Sequence, residues 1–315
     1  MIDSIKYFVD SKKCFNFELK DQSWDVYISA FNNDERVHGI YEKIPSNKKY
    51  WLNLPEYGYH LQEIPNNCIC LTNVYSNEAD VVIDLLNQIA ELRDSDSKVL
   101  IDITGLMRPH ILFILKYLKS KQFKVIHMLY TEPLHYEKKD QTKFTLDDVY
   151  VVRQVAGYEG NHSTNMSNDI LIVGVGYDHD LISRVILDKE NANVVMLQSL
   201  PSLSADMYHE SIIRLDKVSC NLVEDKIYFS SANDPYVTAS VLSEAYLKLS
   251  APKEITNFYL SPLATKPQTL GFGLFFINEL EDKPASIIFP FSKTYAQKPS
   301  VGIGKSWLYP ISFNN

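Results

Sequence analysis

The chain has 315 residues, 45% of them hydrophobic, and a formal net charge of −8. That length suits two domains of about 150 residues, each able to bury its own core. The acidic balance argues against binding long nucleic acid, which depends on neutralising many phosphates, yet a small anionic ligand in a local basic pocket stays possible.

In chain order, apolar runs and helical spacings alternate. The first half reads strand (Val26–Ala30), helix (Asp34–Glu42), strand (Tyr50–Leu54), strand (Cys68–Asn73), helix (Asn77–Leu92), strand (Val99–Ile103), helix (Pro109–Lys119) and strand (Val125–Tyr130). A last strand, Val149–Val155, is expected to close that half. Gly157 to Asn168, small and polar between two apolar runs, reads as a linker. The second half repeats the order: Ile170–Val175, Leu181–Asp188, Val194–Gln198, Met207–Arg214, Ile227–Phe229, Asp234–Leu249, Asn257–Leu260, Pro267–Glu279, Ser286–Phe289 and a final strand at Ser306–Ile311. Alternating strands and helices predict an α/β protein of two tandem Rossmann-like domains, 1–160 and 161–315, with parallel sheets. Continuously apolar strands such as Val99-Leu100-Ile101 fit sheets covered on both faces.

The two halves share landmarks in the same order, which predicts an internal duplication. Each has an apolar strand, a polar turn, and then a basic residue with a proline opening a helix: Thr104-Gly105-Leu106-Met107-Arg108-Pro109 in one, Thr265-Lys266-Pro267-Gln268 in the other. Phe31-Asn32 matches Tyr177-Asp178, Ser76-Asn77 matches Ala232-Asn233, and Tyr130–Tyr136 matches Phe289–Tyr295. Proline suits the first turn of a helix, where its missing N–H is not needed. Free N–H groups and the helix dipole then favour an anion. In open α/β sheets ligands sit beyond the carboxyl ends of the strands, where strand order reverses. The candidate ligand contacts at those ends are Asn32, Asn77, Thr104, Gly105, Arg108 and Tyr130 in the first half. In the second they are Tyr177, Asp178, His179, Asn233, Thr265, Lys266, Gln268 and Tyr295. Two such edges brought face to face would form a groove for a ligand with repeated phosphates.

Asp102-Ile103-Thr104-Gly105 followed by Arg108, and Thr265-Lys266-Pro267-Gln268 after a strand, resemble the fourth-strand motif of CARF domains, although Leu106-Met107-Arg108 stands where that motif has Gly-Thr-Lys. CARF domains and the related SAVED domains are Rossmann-like sensors of cyclic oligonucleotides in prokaryotic anti-phage defence. The resemblance implies a nucleotide or cyclic oligonucleotide ligand, phosphate contacts from Thr104, Gly105, Arg108, Thr265 and Lys266, and a protein partner carrying the effector activity.

Other chemistries were weighed on the same residues. Gly174-x-Gly176 opens like a dinucleotide fingerprint, but His179 stands where its third glycine belongs. Asp178-His179-Asp180 reads as helix capping rather than a metal or acid–base cluster. Gly302-x-Gly304-Lys305 reads as a turn before the last strand, lacking the full phosphate-loop spacing. Cys14, Cys68, Cys70 and Cys220 have no metal-ligand spacing and read as buried free thiols of a reducing compartment. No apolar run approaches the roughly 20 residues of a membrane span, and no secretion signal is evident. The expectation is therefore a cytoplasmic protein with no cofactor, no metal and no membrane partner. An alternative is a metal-independent phosphodiesterase acting on a cyclic oligonucleotide in the same groove; another is a scaffold subunit.

Overall fold

The computed structural model describes residues 7, 15–16, 22–136, 151–176, 178–203, 227–295 and 300–313. The expected helix Met207–Arg214, the candidate contact Tyr177, and Cys14 and Cys220 lie outside them.

Two mixed, mostly parallel sheets carry the protein. The first contains β1 (Phe15–Asn16), β2 (Trp24–Ala30), β3 (Ser46–Leu52), β4 (Cys68–Ile69), β5 (Val99–Asp102), β6 (Val125–Tyr136) and β13 (Ser300–Ser312), in the order β1-β13-β6-β5-β2-β3-β4. The second contains β7 (Val151–Gln154), β8 (Ile170–Gly174), β9 (Asn193–Ser199), β10 (Ile227–Ser230), β11 (Phe258–Pro262) and β12 (Ala285–Phe291), in the order β10-β9-β8-β11-β12-β7. With the edge strands β1, β7 and β13 left out, the five parallel strands of each sheet, counted along the chain, run third, second, first, fourth, fifth. Among the described residues six α-helices connect the strands: α1 (Glu35–Tyr41), α2 (Glu78–Asn87), α3 (Arg108–Ser120), α4 (His179–Asp188), α5 (Pro235–Ser250) and α6 (Lys266–Glu279).

The wholly parallel sheets of the sequence reading need correction. β13 pairs antiparallel with β6 and with β1, and β7 pairs antiparallel with β12. The closing strands are also exchanged: Val151–Gln154, expected in the first sheet, lies in the second, and the C-terminal strand lies in the first. An edge strand reads the same in sequence whichever sheet it joins, since its pattern reports only that one side is covered. The chain accordingly divides into two compact units, Lys12–Asp147 with Lys293–Asn315, and Met1–Ser11 with Asp148–Ser292.

Within the first unit, chain connections leave β2 in opposite directions. Right-handed crossovers then put α1 on one face and α2 and α3 on the other; α2 packs on α3, as α5 packs on α6 in the second unit. Val26, Ile28, Val99, Leu100 and Ile101 are fully buried, so both faces of the central strands are covered. α3 turns Ile111, Leu112, Ile114, Leu115 and Leu118 into the core. α6 is not the amphipathic helix its leucine spacing predicts: Pro267 to Ile277 is buried throughout. Phe272, Phe275 and Phe276 fill the positions between the leucines, leaving no polar face.

The stretch read as a linker is pinned to the second unit. Asn257 donates to the carbonyls of Ser163 and Asn165 and to Asp169, and its own oxygen accepts from Ser163 N–H. Tyr158 is fully buried, its carbonyl accepting from Ile287 N–H. The Gly302 to Lys305 segment lies inside β13, where the register shifts between Ile303 and Ser306, rather than in a turn before it. No helix among the described residues is long and apolar enough to cross a membrane.

Candidate functional site

The carboxyl end of the first sheet reverses strand order between β2 and β5, and the loops leaving those strands touch. β5 ends at Asp102, a fully buried carboxylate with no cation partner among the described residues. It accepts from Thr104 N–H at 2.8 Å, Tyr27 Oη–H at 3.1 Å and Ser29 Oγ–H at 3.2 Å. Burial pushes the carboxyl above its usual range, and these donors act against that shift. Thr104, buried above it, accepts at Oγ1 from Thr131 N–H, tying the loop to β6.

Gly105 lies directly on the end of β2. A Cβ there would stand 2.8 Å from the Ala30 carbonyl oxygen and 2.9 Å from Asn32 Nδ2, so any side chain would force the strand end or Asn32 to shift. Asn32, 3% exposed, donates to Tyr57 Oη at 3.1 Å, and Tyr57 Oη donates to the Gly105 carbonyl at 2.6 Å. Burial raises the Tyr57 phenol, keeping it a donor. Asn32, Tyr57 and Gly105 are thus joined in a linear chain of hydrogen bonds.

Beyond Gly105 the chain enters α3 with Arg108 and Pro109 in the first turn. Met107 at the N-cap gives no side-chain cap. Among the described residues no acceptor meets the backbone N–H of Gly105, Met107 or His110, and Arg108 is half-buried beside them. His110, in that first turn, is 2% exposed; its Nε2 stands 3.3 Å from Glu56 Oε1, and neither ring nitrogen makes a hydrogen bond. Glu56 adjoins Tyr57, and its carbonyl accepts from Tyr295 N–H. Tyr295 therefore joins this edge, not the fifth-strand end of the second sheet where the sequence alignment of halves put it.

The neighbouring charges and rings are already engaged. Asp34 caps α1 and grips Arg36 with both oxygens, at 3.0 and 2.9 Å, while Arg36 Nη1 donates to the Thr131 carbonyl. Phe31 meets Trp51 and Tyr59 edge-on and Tyr41 stacks on Trp51, so these aromatic faces are covered. Tyr130 is 3% exposed within β6. Asn77 is a helix cap: its Oδ1 accepts from Asp80 N–H and its Nδ2 donates back to Asp80.

The corresponding edge of the second sheet closes on itself. Thr265 and Gln268 form a capping box at the start of α6. Gln268, fully buried, accepts from Ser199 Oγ–H at 2.9 Å and donates to Ser230 Oγ at 2.9 Å, joining the ends of β9 and β10. The Thr265 hydroxyl turns towards the Ala232 carbonyl. Asn233 accepts from Ser231. Asp178 caps α4 through Leu181 N–H, and His179 faces Asp180 at 3.4 Å. Lys266 is half-buried at the first position of α6. Gly176 packs on the backbone of the β11–α6 turn, where a Cβ would stand 2.1 Å from the Leu263 carbonyl oxygen. Both polar groups of the Thr265–Gln268 pair thus hold the fold together. Replacing Thr265 by alanine is expected to lower the unfolding free energy by about 1–2 kcal/mol, the usual cost of a lost N-cap, read as a lower urea midpoint at an unchanged slope.

The residues that the sequence reading passed over are Tyr57, Glu56, His110 and Arg36, the partner of Asp34. Their signal was positional: a histidine between Pro109 and a run of apolar residues, and a Pro-Glu-Tyr turn just after a strand. Among the described residues no group of three metal-ligating side chains occurs, and Cys68, half-buried, has a thiol pushed up to about 12 by burial. A cavity of about 450 Å³ does open between α2 and α3, but at their C-terminal ends, lined by Leu86, Ile89, Tyr117 and Lys121 and by none of the motif residues. No family model, no curated protein and no solved structure matches this chain.

Proposed function

We propose that the protein is a sensor that binds a nucleotide or cyclic oligonucleotide at the carboxyl edge of its first sheet and passes the bound state to a protein partner in anti-phage defence. The resemblance to CARF and SAVED domains, and the internal duplication read from the landmarks the two halves share, belong to the same proposal. The observation that carries it is the start of α3. Among the described residues, three N–H groups without acceptors, an arginine in the first turn and an N-cap with no side-chain bond meet at the strand-order switch, where α/β sheets receive ligands. The common strand order of the two sheets supports the duplication. The two edges are unequal in this reading: α6 caps itself, so Lys266 contributes less than Arg108.

Calorimetry of the purified chain against cyclic di-, tri- and tetranucleotides tests the proposal. One member is expected to bind and to be recovered intact. Arg108→Ala is expected to weaken that binding by at least about tenfold, the scale of a charged hydrogen bond lost, and Lys266→Ala by less. If the folded wild-type protein binds no member of the panel, the proposal fails. Recovery of a cleaved product would instead favour the phosphodiesterase alternative.

A further inference from the structure

His110 is a buried group at this edge whose surroundings leave it unsatisfied, as they leave Glu56 Oε2. Its side chain is 2% exposed, yet neither ring nitrogen has a hydrogen-bond partner. A side chain in the first turn of a helix leans back towards the N-terminus. The contact with Glu56 agrees: Glu56 adjoins Tyr57, whose hydroxyl bonds the Gly105 carbonyl in the turn before α3. The ring therefore leans back over the first turn of α3, towards the turn that carries the N–H groups of Gly105 and Met107.

We infer that anion binding at the N-terminus of α3 is coupled to proton uptake by the His110–Glu56 pair. This rests on the reading of that terminus as the ligand edge. The reason is the hydrogen-bonding inventory of imidazole. With an anion at Nδ1 and the Glu56 carboxylate at Nε2, either neutral tautomer aims a lone pair at a negative charge. Only the imidazolium donates to both. Protonating Glu56 instead would relieve the same conflict, so the proton belongs to the pair. The other charges nearby do not replace it: Arg108 is two residues earlier on the same helix, and Asp34, past Tyr57, is gripped by Arg36. Tyr57 and Tyr295 bring a neutral phenol and a backbone N–H. A histidine changes charge in the physiological range, so the site would hold phosphate groups more tightly in mildly acidic solution.

Inorganic sulfate is the suitable probe, because it stays a dianion from pH 6 to 8 while phosphate does not. Isotope-labelled protein is titrated with sodium sulfate at both pH values, at ionic strength held constant with sodium chloride. The amides of Gly105, Met107 and His110 are expected to respond, with sulfate about tenfold tighter at pH 6 than at pH 8, within the usual range of a coupling between two sites. Glu56→Gln is expected to bind at pH 8 about as tightly as the wild type at pH 6, since a neutral amide accepts either tautomer. His110→Gln is expected to bind with no pH dependence. Equal sulfate affinity at both pH values in the wild type, or no response of these amides, overturns the coupling. A cyclic oligonucleotide that binds this edge independently of pH would overturn it too, while leaving the sensor reading standing.

Discussion

Asp102→Ala is expected to lower the unfolding free energy by about 2–4 kcal/mol, whereas Asp102→Asn is expected to cost under about 1 kcal/mol near neutral pH. Alanine leaves at least three buried donors without an acceptor: Thr104 N–H, Tyr27 Oη–H and Ser29 Oγ–H. Each such group costs about 1–3 kcal/mol, partly offset because a buried charge is removed as well. Asparagine leaves only the two hydroxyl hydrogens to find another acceptor. Its Oδ1 still accepts from Thr104, and its amide hydrogens point at the two hydroxyls, which can rotate to accept. Urea melts of the three proteins give the comparison.

The same pair carries a pH signature. Burial raises the Asp102 carboxyl above its unfolded value, so the native state binds its proton more tightly. That contribution to stability is fully present below the ordinary aspartate range, about pH 4, and is lost as pH rises through the raised native value. Relative to Asp102→Asn, the wild type is therefore expected to lose stability between pH 4 and pH 7. A constant difference between the two melts across that window would mean that Asp102 is ionised at no penalty in the folded protein.

The strands that build the sheets were legible because Val99-Leu100-Ile101 or Ile170-Leu171-Ile172 can only be covered on both faces. The helix starts were legible from Arg108-Pro109 and Lys266-Pro267. Partners distant in sequence were not. Gln268 looks like a ligand amide until Ser199 and Ser230 arrive from the ends of β9 and β10 to occupy it. Asn32 likewise reads as a loop donor, but Tyr57 takes it up. His110 was hidden for the opposite reason: it sits among apolar neighbours like a core residue, and only the fold brings Glu56 to it. The exchange of β7 and β13 was out of reach, because alternation of apolar residues says that an edge strand pairs and not with which sheet.

Gly176→Ala separates two explanations of the Gly174-x-Gly176 pair. Were Gly176 present to admit a pyrophosphate, alanine would leave the unliganded protein as stable as before. The structure gives the glycine a different reason. The added Cβ would lie 2.1 Å from the Leu263 carbonyl oxygen and 3.0 Å from its carbonyl carbon. Both are backbone atoms, in a turn held by Leu263 and Ala264, which are 5% and 3% exposed, so no side-chain rotation makes room. The loop after β8 and the turn before α6 must separate, at about 3 kcal/mol, the upper range for an overpacked site. Gly105→Ala is expected to cost less, about 1–2 kcal/mol, because one of its two close contacts is the Asn32 side chain, which can swing aside by giving up its bond to Tyr57. Urea midpoints in the order wild type, Gly105→Ala, Gly176→Ala, measured without any ligand, are the expected result. A Gly176→Ala protein as stable as the wild type would return the glycine to a ligand-binding role.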